Sequence, residues 1–167
     1  VGLGIPAEPL FRSIQLLIRI IAERLRFYKA KNVVVDPVMT ATSGSSLMMT
    51  DAVQILEKEL FPVATLVTPN ILEAQILSGM AIESKEDMVS AARKIGILYG
   101  CAVLLKGGHS IYDANDLLYE NDEIYWFEGQ SPRPLPLQTW NLRSQESYAV
   151  LHRKKASGIS WIFSCLC

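Results

Sequence analysis

The sequence predicts an α/β fold in which a parallel sheet carries helices on its faces. Three short apolar runs, rich in valine and leucine, stand at residues 33–35, 64–67 and 101–105 and are typical of buried parallel strands. Segments with helical spacing or helix-capping residues lie before and between these runs. Strands that alternate with helices form βαβ units, which assemble into a parallel sheet.

The composition is that of one globular domain without a charge signature. The chain has 167 residues, half of them hydrophobic, and a formal net charge of −1. This balance gives no electrostatic reason to expect nucleic acid or an anionic membrane as a partner, and we expect no membrane span. Three irregularly spaced cysteines suggest no disulfide framework, so we expect a reducing cytoplasm as the setting.

An amphipathic helix is predicted near the start of the chain, over residues 8–29. Its apolar residues recur at helical spacing, while charged residues such as Arg19 and Glu23 lie largely off that face. We expect the helix to pack through the face formed by Leu10, Ile14, Leu17, Ile18, Ile21, Leu25 and Tyr28.

The first strand covers residues 32–37 and is followed by a second helix. Thr50 or Asp51 can cap this helix, and apolar spacing continues it to about Leu60. The second strand then covers residues 64–69.

Helix-ending glycines mark the two helices that follow. A short helix over residues 71–77 is ended by Gly79. A longer helix opens on Ser84, with Asp87 three residues on as in a capping box, and is ended by Gly100.

A third strand and a hairpin complete the predicted sheet. The strand covers residues 101–106, and the hairpin covers 116–127 with its turn at Asn121-Asp122. After Gln130 no apolar period persists long enough to predict a further element.

Polar residues follow the three parallel strands at their carboxyl ends, where open α/β sheets bind ligands. Asp36 follows the first strand, Asn70 and Glu73 follow the second, and Lys106 follows the third. The carboxylates of Asp36 and Glu73 are hard oxygen donors suited to Mg²⁺ or to its bound waters. Lys106 is a point charge suited to phosphate oxygens.

Two glycines extend the candidate site. Gly107 and Gly108 let the backbone come close to a ligand, and their N–H groups can face an anion. Each residue has an ordinary alternative: Asn70 as a helix cap, the glycines as a loop, Lys106 as a solvated charge. Their coincidence at one sheet edge favours phosphoryl transfer, which needs positioning and charge neutralisation more than covalent help.

The segment after the first strand is small and rich in hydroxyl groups. It contains Thr42, Ser43 and Gly44, which could form a flap over phosphates. Composition alone favours a plain polar loop.

Three segments together resemble the motifs of hydroxymethylpyrimidine phosphate kinases, a ribokinase-like family. They are residues 33–39 with 41–44, residues 67–74, and residues 104–109, in the family's order and at fitting intervals. The resemblance covers about residues 1–130. It implies a ribokinase-like three-layer αβα sandwich with a mostly parallel sheet, truncated at both ends.

The resemblance also implies an activity. Such enzymes use ATP and Mg²⁺ to phosphorylate the small molecule hydroxymethylpyrimidine, and then its monophosphate, in thiamine biosynthesis. By analogy Asp36 and Glu73 would organise Mg²⁺, Asn70 would lie near the nucleotide phosphates, and Lys106 would contact the phosphates being transferred. Residues 42–44 would belong to the flap.

Two alternatives stay open. Pyridoxal kinases share the architecture, and the pocket residues that discriminate the substrates are expected mostly before Val1. The other alternative is a non-catalytic fragment that binds nucleotide or a partner chain. Missing strands would expose a sheet edge and apolar helix faces, which favours a homo-oligomer.

The end of the chain departs from the family. We expect a partial kinase domain over residues 1–130 and a divergent or frameshifted tail over 131–167. The family carries a His-Gly-Thr-Gly-Cys motif there, whose N–H groups form an anion hole and whose cysteine is the expected base. The codons of Thr139-Trp140-Asn141-Leu142 can encode His-Gly-Thr in another reading frame. Without the motif we expect little or no turnover, unless the tail is a genuine but divergent C-terminus.

Overall fold

In the part of the chain that the structure describes, five strands form one sheet in the order β1-β2-β3-β4-β5. The computed structural model describes residues 7–39, 50–107 and 115–127, and the side chains of 15–39, 53–107 and 115–127. The strands are β1 (Val34–Val35), β2 (Leu66–Val67), β3 (Ala102–Leu105), β4 (Asp116–Glu120) and β5 (Glu123–Phe127).

The first three strands are parallel, as predicted. Val35 pairs with Val67, and Val67 pairs with Val103. The helices are α1 (Ala7–Phe27), α2 (Thr50–Ile55), α3 (Ile71–Ser78) and α4 (Lys85–Tyr99). Because α2 lies in the chain between β1 and β2, and α3 and α4 between β2 and β3, the predicted βαβ units are confirmed.

The predicted hairpin extends the sheet with antiparallel strands. β4 pairs antiparallel with both β3 and β5. Asn121 and Asp122 have φ values of 52° and 65°. Two successive positive φ angles are typical of the type I′ turn, whose twist matches that of the flanking strands, and Asn and Asp tolerate this conformation better than most residues.

Helix capping also follows the sequence. Asn70 and Ser84 each accept a hydrogen bond from the backbone of the third helical residue, and the carboxylate of that residue accepts one in return. Gly79 and Gly100 end the two helices with φ values of 64° and 69°. Glycine adopts this left-handed conformation without a steric penalty.

The predicted helix up to Leu60 changes its geometry on the way. After Ile55 the chain continues as a π-helical turn, Leu56–Leu60, and a 3₁₀ turn, Phe61–Val63. The N–H of Phe61 donates to the carbonyl of Leu56. This wider turn lets Leu60 and Phe61 both face the core beside Leu56, and all three are buried.

Side chains on the sheet alternate between two faces. One face packs with the helices into a single core; we call it the helix-covered face, and it carries Val33, Val35, Val67, Val103, Leu105, Leu117 and Tyr119. The second face carries a separate buried cluster of Val34, Leu66, Ala102, Leu104 and Leu118. The helices contribute buried side chains to the core on the helix-covered face, including Ile18 from α1, Leu56, Ala74 from α3 and Ile95 from α4.

The buried stripe of α1 is narrower than predicted. Ile18, Ala22 and Leu25 are buried, but Leu17 is 43% exposed and Tyr28 71% exposed. Leu17 lies at the margin of the stripe, and Tyr28 lies beyond the end of the helix at Phe27. The predicted contacts of Leu10 and Ile14 lie outside the described side chains. None of the helices in the described ranges is long and apolar enough to cross a membrane.

Candidate phosphate and metal site

Three strand ends meet in one hydrogen-bonded cluster. Lys106 Nζ donates to Asp36 Oδ1 at 2.9 Å and forms an ion pair with it. Thr68, directly after β2, donates from its hydroxyl to the same oxygen at 3.1 Å. The side chains of Lys106 and Asp36 are only 15% and 13% exposed. A positive and a negative group therefore stand side by side at the carboxyl edge of the sheet, in a poorly hydrated place.

Glu73 lies buried beside this pair and ties two segments together. Its side chain accepts the backbone N–H of Asn70 at 2.8 Å on one oxygen and that of Met39 at 3.3 Å on the other. Met39 lies in the segment after β1, and Glu73 lies in the first turn of α3. The predicted metal-organising carboxylate therefore joins the two segments that flank the site.

Burial raises the pKa of Glu73 above its ordinary value, because the charged form is poorly solvated there. The N–H of Asn70, the Lys106 ammonium and the N–H of Met39 act in the opposite direction, and Asp36 adds to the rise. Glu73, Lys106 and Asp36 thus share one electrostatic environment, as a site for a charged ligand requires.

Asn70 is the N-cap of α3, which is the alternative role that the sequence analysis gave it. Its side chain accepts the N–H of Glu73 at 2.9 Å and caps α3. Its backbone bridges to Lys106, whose N–H donates to the Pro69 carbonyl at 2.8 Å. The predicted nucleotide contact of Asn70 stays a prediction, but the cap places this residue between Glu73 and Lys106.

Gly107 is required by a close approach of the backbone. A Cβ at this position would lie 2.0 Å from the carbonyl oxygen of Asn115. Its N–H donates to Asp116 Oδ1 at 3.0 Å, so in this structure the group points at a buried carboxylate. Gly108, Thr42, Ser43 and Gly44 lie outside the described residues, so their predicted roles stay predictions.

Two members of the cluster were given no role from the sequence: Thr68, which was noted only as a polar residue at the end of the second strand, and Asp116. Thr68 stands directly after a buried strand, between the strands that carry Asp36 and Lys106, and this position was the available signal. Nothing in the sequence pointed to Asp116, because it accepts its hydrogen bond from the backbone N–H of Gly107, nine residues away, and a backbone group has no sequence signature.

The donor set suits Mg²⁺ bound through a ligand better than a closed protein site. Among the residues that the structure describes, no group of three or more His, Cys, Asp or Glu side chains could hold a metal. Mg²⁺ is commonly bound by one or two carboxylates together with substrate phosphates and waters. Asp36, with Glu73 behind it, fits that arrangement.

Parallel strands that end in a paired carboxylate and ammonium define a class: α/β proteins with charged side chains at the carboxyl edge of the sheet, which is where such sheets commonly bind ligands. Within that class the family is known from sequence. The profile of the phosphomethylpyrimidine kinase family matches residues 14–133. The chain belongs to this family.

Similar proteins support the assignment to this family. The chain is 45% identical over 120 residues to the thiamine biosynthesis bifunctional protein ThiED of Geobacter sulfurreducens, covering 71% of this chain and 24% of that protein. It is 38% identical over 120 residues to the hydroxymethylpyrimidine/phosphomethylpyrimidine kinase of Aquifex aeolicus, covering 68% and 47%. The chain spans less than half the length of these relatives.

Solved structures show the same fold. An ADP complex of Bacillus subtilis pyridoxal kinase matches with a TM-score of 0.69 and 31% identity, over 86% of this chain and 53% of that one. Phosphomethylpyrimidine kinase of Clostridium difficile matches with a TM-score of 0.66 and 29% identity, over 82% and 64%. The fold is therefore ribokinase-like, as predicted.

Proposed function

We propose that this chain carries the phosphate- and metal-binding part of a kinase that transfers phosphate from ATP to hydroxymethylpyrimidine and its monophosphate, in thiamine biosynthesis. One observation carries the proposal: Asp36 and Lys106 meet at 2.9 Å across the end of β2, at the ligand-binding edge of the sheet. A paired cation and anion can be shared between a nucleotide phosphate and its metal.

The chemistry assigns different tasks to the two charges. Lys106 neutralises oxygens of the transferred phosphate, and Asp36 accepts hydrogen bonds from the metal's waters or binds the metal itself. Mg²⁺, when bound, would be held by Asp36 and would withdraw charge from the phosphate. Glu73 keeps the segment after β1 and the start of α3 in register around these groups.

The nucleotide part of the proposal is supported by nucleotide complexes of similar proteins. The Bacillus subtilis pyridoxal kinase was solved as an ADP complex, and its fold matches this chain at 31% identity. By that likeness we assign ATP as phosphate donor. Thr42, Ser43, Gly44, Gly107 and Gly108 complete the proposed surroundings of its phosphates.

A turnover assay tests the proposal directly. The purified chain is supplied with Mg-ATP and either hydroxymethylpyrimidine phosphate or pyridoxal, and transferred phosphate is followed. Transfer to the pyrimidine that is lost in Lys106→Met and kept in Lys94→Met, an exposed lysine on α4, supports the kinase. Transfer that persists in Lys106→Met contradicts the assigned site.

Pyridoxal kinase is the second candidate, and one observation favours it. The pyridoxal kinase structure gives the slightly higher TM-score, 0.69 against 0.66. The family profile and the named pyrimidine kinases favour the pyrimidine. Preferred transfer to pyridoxal in the same assay would reverse this order.

A third candidate is a non-catalytic fragment that binds nucleotide or a partner chain, such as a second copy of itself. Exposed apolar residues on α1, including Leu16, Leu17 and Ile20, are compatible with such a contact. Binding of Mg-ATP without transfer to either substrate would favour it. For each candidate we propose a cytoplasmic setting, where a free thiol such as that of Cys101 is ordinary.

A further inference from the structure

We propose that Thr68 is a positioning residue of the phosphate and metal site, and that its hydroxyl holds the Asp36 carboxylate in place for Lys106 and for the metal. The inference rests on the proposed function of this sheet edge. It adds a residue to which no ligand-binding role was assigned from the sequence.

The place of Thr68 in the sheet is specific. Val35 of β1 pairs with Val67 of β2, so Asp36 and Thr68 are the next residues on neighbouring strands. Residues one place apart on a strand alternate between its faces, so Thr68 follows Leu66 onto the second face of the sheet. Its side chain is 1% exposed. The hydroxyl is therefore shielded from water and directed at one partner.

Thr68 and Lys106 hold the same oxygen of Asp36 but differ in stiffness. Thr68 donates to Oδ1 at 3.1 Å and Lys106 at 2.9 Å. A β-branched threonine has a restricted χ1, whereas lysine has a long flexible stem. When a phosphate attracts the Lys106 ammonium, Thr68 still holds Asp36. The carboxylate then stays aimed at the metal instead of following the lysine.

The same strand supplies a matched control. Thr65 lies just before β2, at the opposite end from Thr68, and its hydroxyl accepts the N–H of Val33 at 3.1 Å. Thr65→Val removes a hydrogen bond between the same two chain segments, at a distance from the site. A loss that arises only from weakened strand association would appear in both variants.

The binding experiment measures Mg-ADP affinity by calorimetry for the wild type, Thr68→Val, Thr68→Ser and Thr65→Val. We expect Thr68→Val to weaken binding about 10-fold, since a hydrogen bond to a charged group is lost. Thr68→Ser keeps the hydroxyl but loses the β-branch, so its affinity should lie between those of the wild type and Thr68→Val, whereas Thr65→Val should bind close to the wild type. Equal affinity of Thr68→Val and wild type, or an equal loss in Thr65→Val, overturns the inference.

A second measurement needs no nucleotide and separates the two proposals. Acetylation of Lys106 by acetic anhydride is mapped by mass spectrometry and normalised to exposed Lys94. A loosened Asp36 lets Lys106 leave the pair, so labelling of Lys106 should rise several-fold in Thr68→Val and stay unchanged in Thr65→Val. Unchanged labelling in Thr68→Val overturns the inference. A wild type that fails to bind Mg-ADP contradicts the proposed function instead.

Discussion

At the scale of single residues, the site is organised by one shared oxygen and one buried carboxylate. Asp36 Oδ1 receives both Thr68 and Lys106, while Glu73 receives two backbone N–H groups. In a poorly hydrated place, charged groups depend on such partners, because each one loses the solvation of water. The contributions of these residues to the free energy of unfolding should therefore depend on one another.

A double-mutant cycle tests this interdependence for Asp36 and Lys106. Asp36→Asn and Lys106→Met should each lower the free energy of unfolding, because each removes the opposite charge that lies beside a largely buried charged group. The double variant should lose less free energy of unfolding than the two single variants lose together, with a coupling of about 1 kcal/mol or more. Urea unfolding measures all four proteins. Additive losses would mean that the ion pair contributes nothing to stability.

The raised pKa of Glu73 predicts how the free energy of unfolding changes with pH. Its folded-state pKa is raised by burial, so the folded protein binds this proton more tightly than the unfolded chain does. Its contribution to stability is full below about pH 4.5, the ordinary value, and is lost as pH rises through the raised pKa.

The measurement compares wild type with Glu73→Gln, which does not titrate at this position. Free energies of unfolding are taken from pH 4.5 upwards. The wild type should lose stability relative to Glu73→Gln as pH rises. If the difference in free energy of unfolding between the two proteins does not change with pH, the pKa of Glu73 is not raised in the folded protein.

At the scale of elements, the sequence determines most of what the structure shows. The caps of α3 and α4, the glycines that end them and the turn at Asn121-Asp122 are local signals, and each was predicted. The π-helical turn before Phe61 and the exposure of Leu17 were not predicted. Both depend on which side chains the rest of the core can accept, and that information is absent from the spacing of a single segment.

The connection between β3 and β4 provides a prediction at this scale. Gly107→Ala places a Cβ about 2.0 Å from the Asn115 carbonyl oxygen, so one backbone must shift. We expect a loss of about 1–3 kcal/mol in the free energy of unfolding. Gly79→Ala is the control, because its Cβ meets no atom within 4 Å and only the positive φ is strained.

The control should cost about 1 kcal/mol and leave Mg-ADP binding unchanged. Gly107→Ala should also weaken Mg-ADP binding, because the shifted backbone carries Lys106 with it. Urea unfolding and calorimetry give the two quantities. Equal stability of Gly107→Ala and wild type would show that the close contact is easily relieved.

At the scale of the whole molecule, the described residues form two buried clusters, one on each face of the sheet. The helices of the described ranges pack into one core on the helix-covered face, while the second face has its own buried cluster. The chain covers 47% of the Aquifex pyrimidine kinase. The predicted boundary near residue 130 and the frameshifted or divergent origin of residues 131–167 lie outside the described residues and stay predictions.

The candidate site was partly predictable at this scale. Parallel strand order places Asp36, Asn70 and Lys106 at one edge, and this placement follows from alternating strands and helices alone. The direct contact between Asp36 and Lys106, residues 70 positions apart, depends on register and rotamer. The involvement of Asp116 depends on how the hairpin returns to the sheet, which the sequence does not specify.

Thermal melting with Mg-ATP tests the central claim most directly, because it measures binding whether or not phosphate is transferred. Wild type and Lys94→Met should gain about 5 °C or more at a ligand concentration 100 times the Kd. Lys106→Met should gain little at the same concentration. An unchanged Tm for the wild type at saturating Mg-ATP, or an equal gain in Lys106→Met, would contradict a phosphate site built on Asp36 and Lys106.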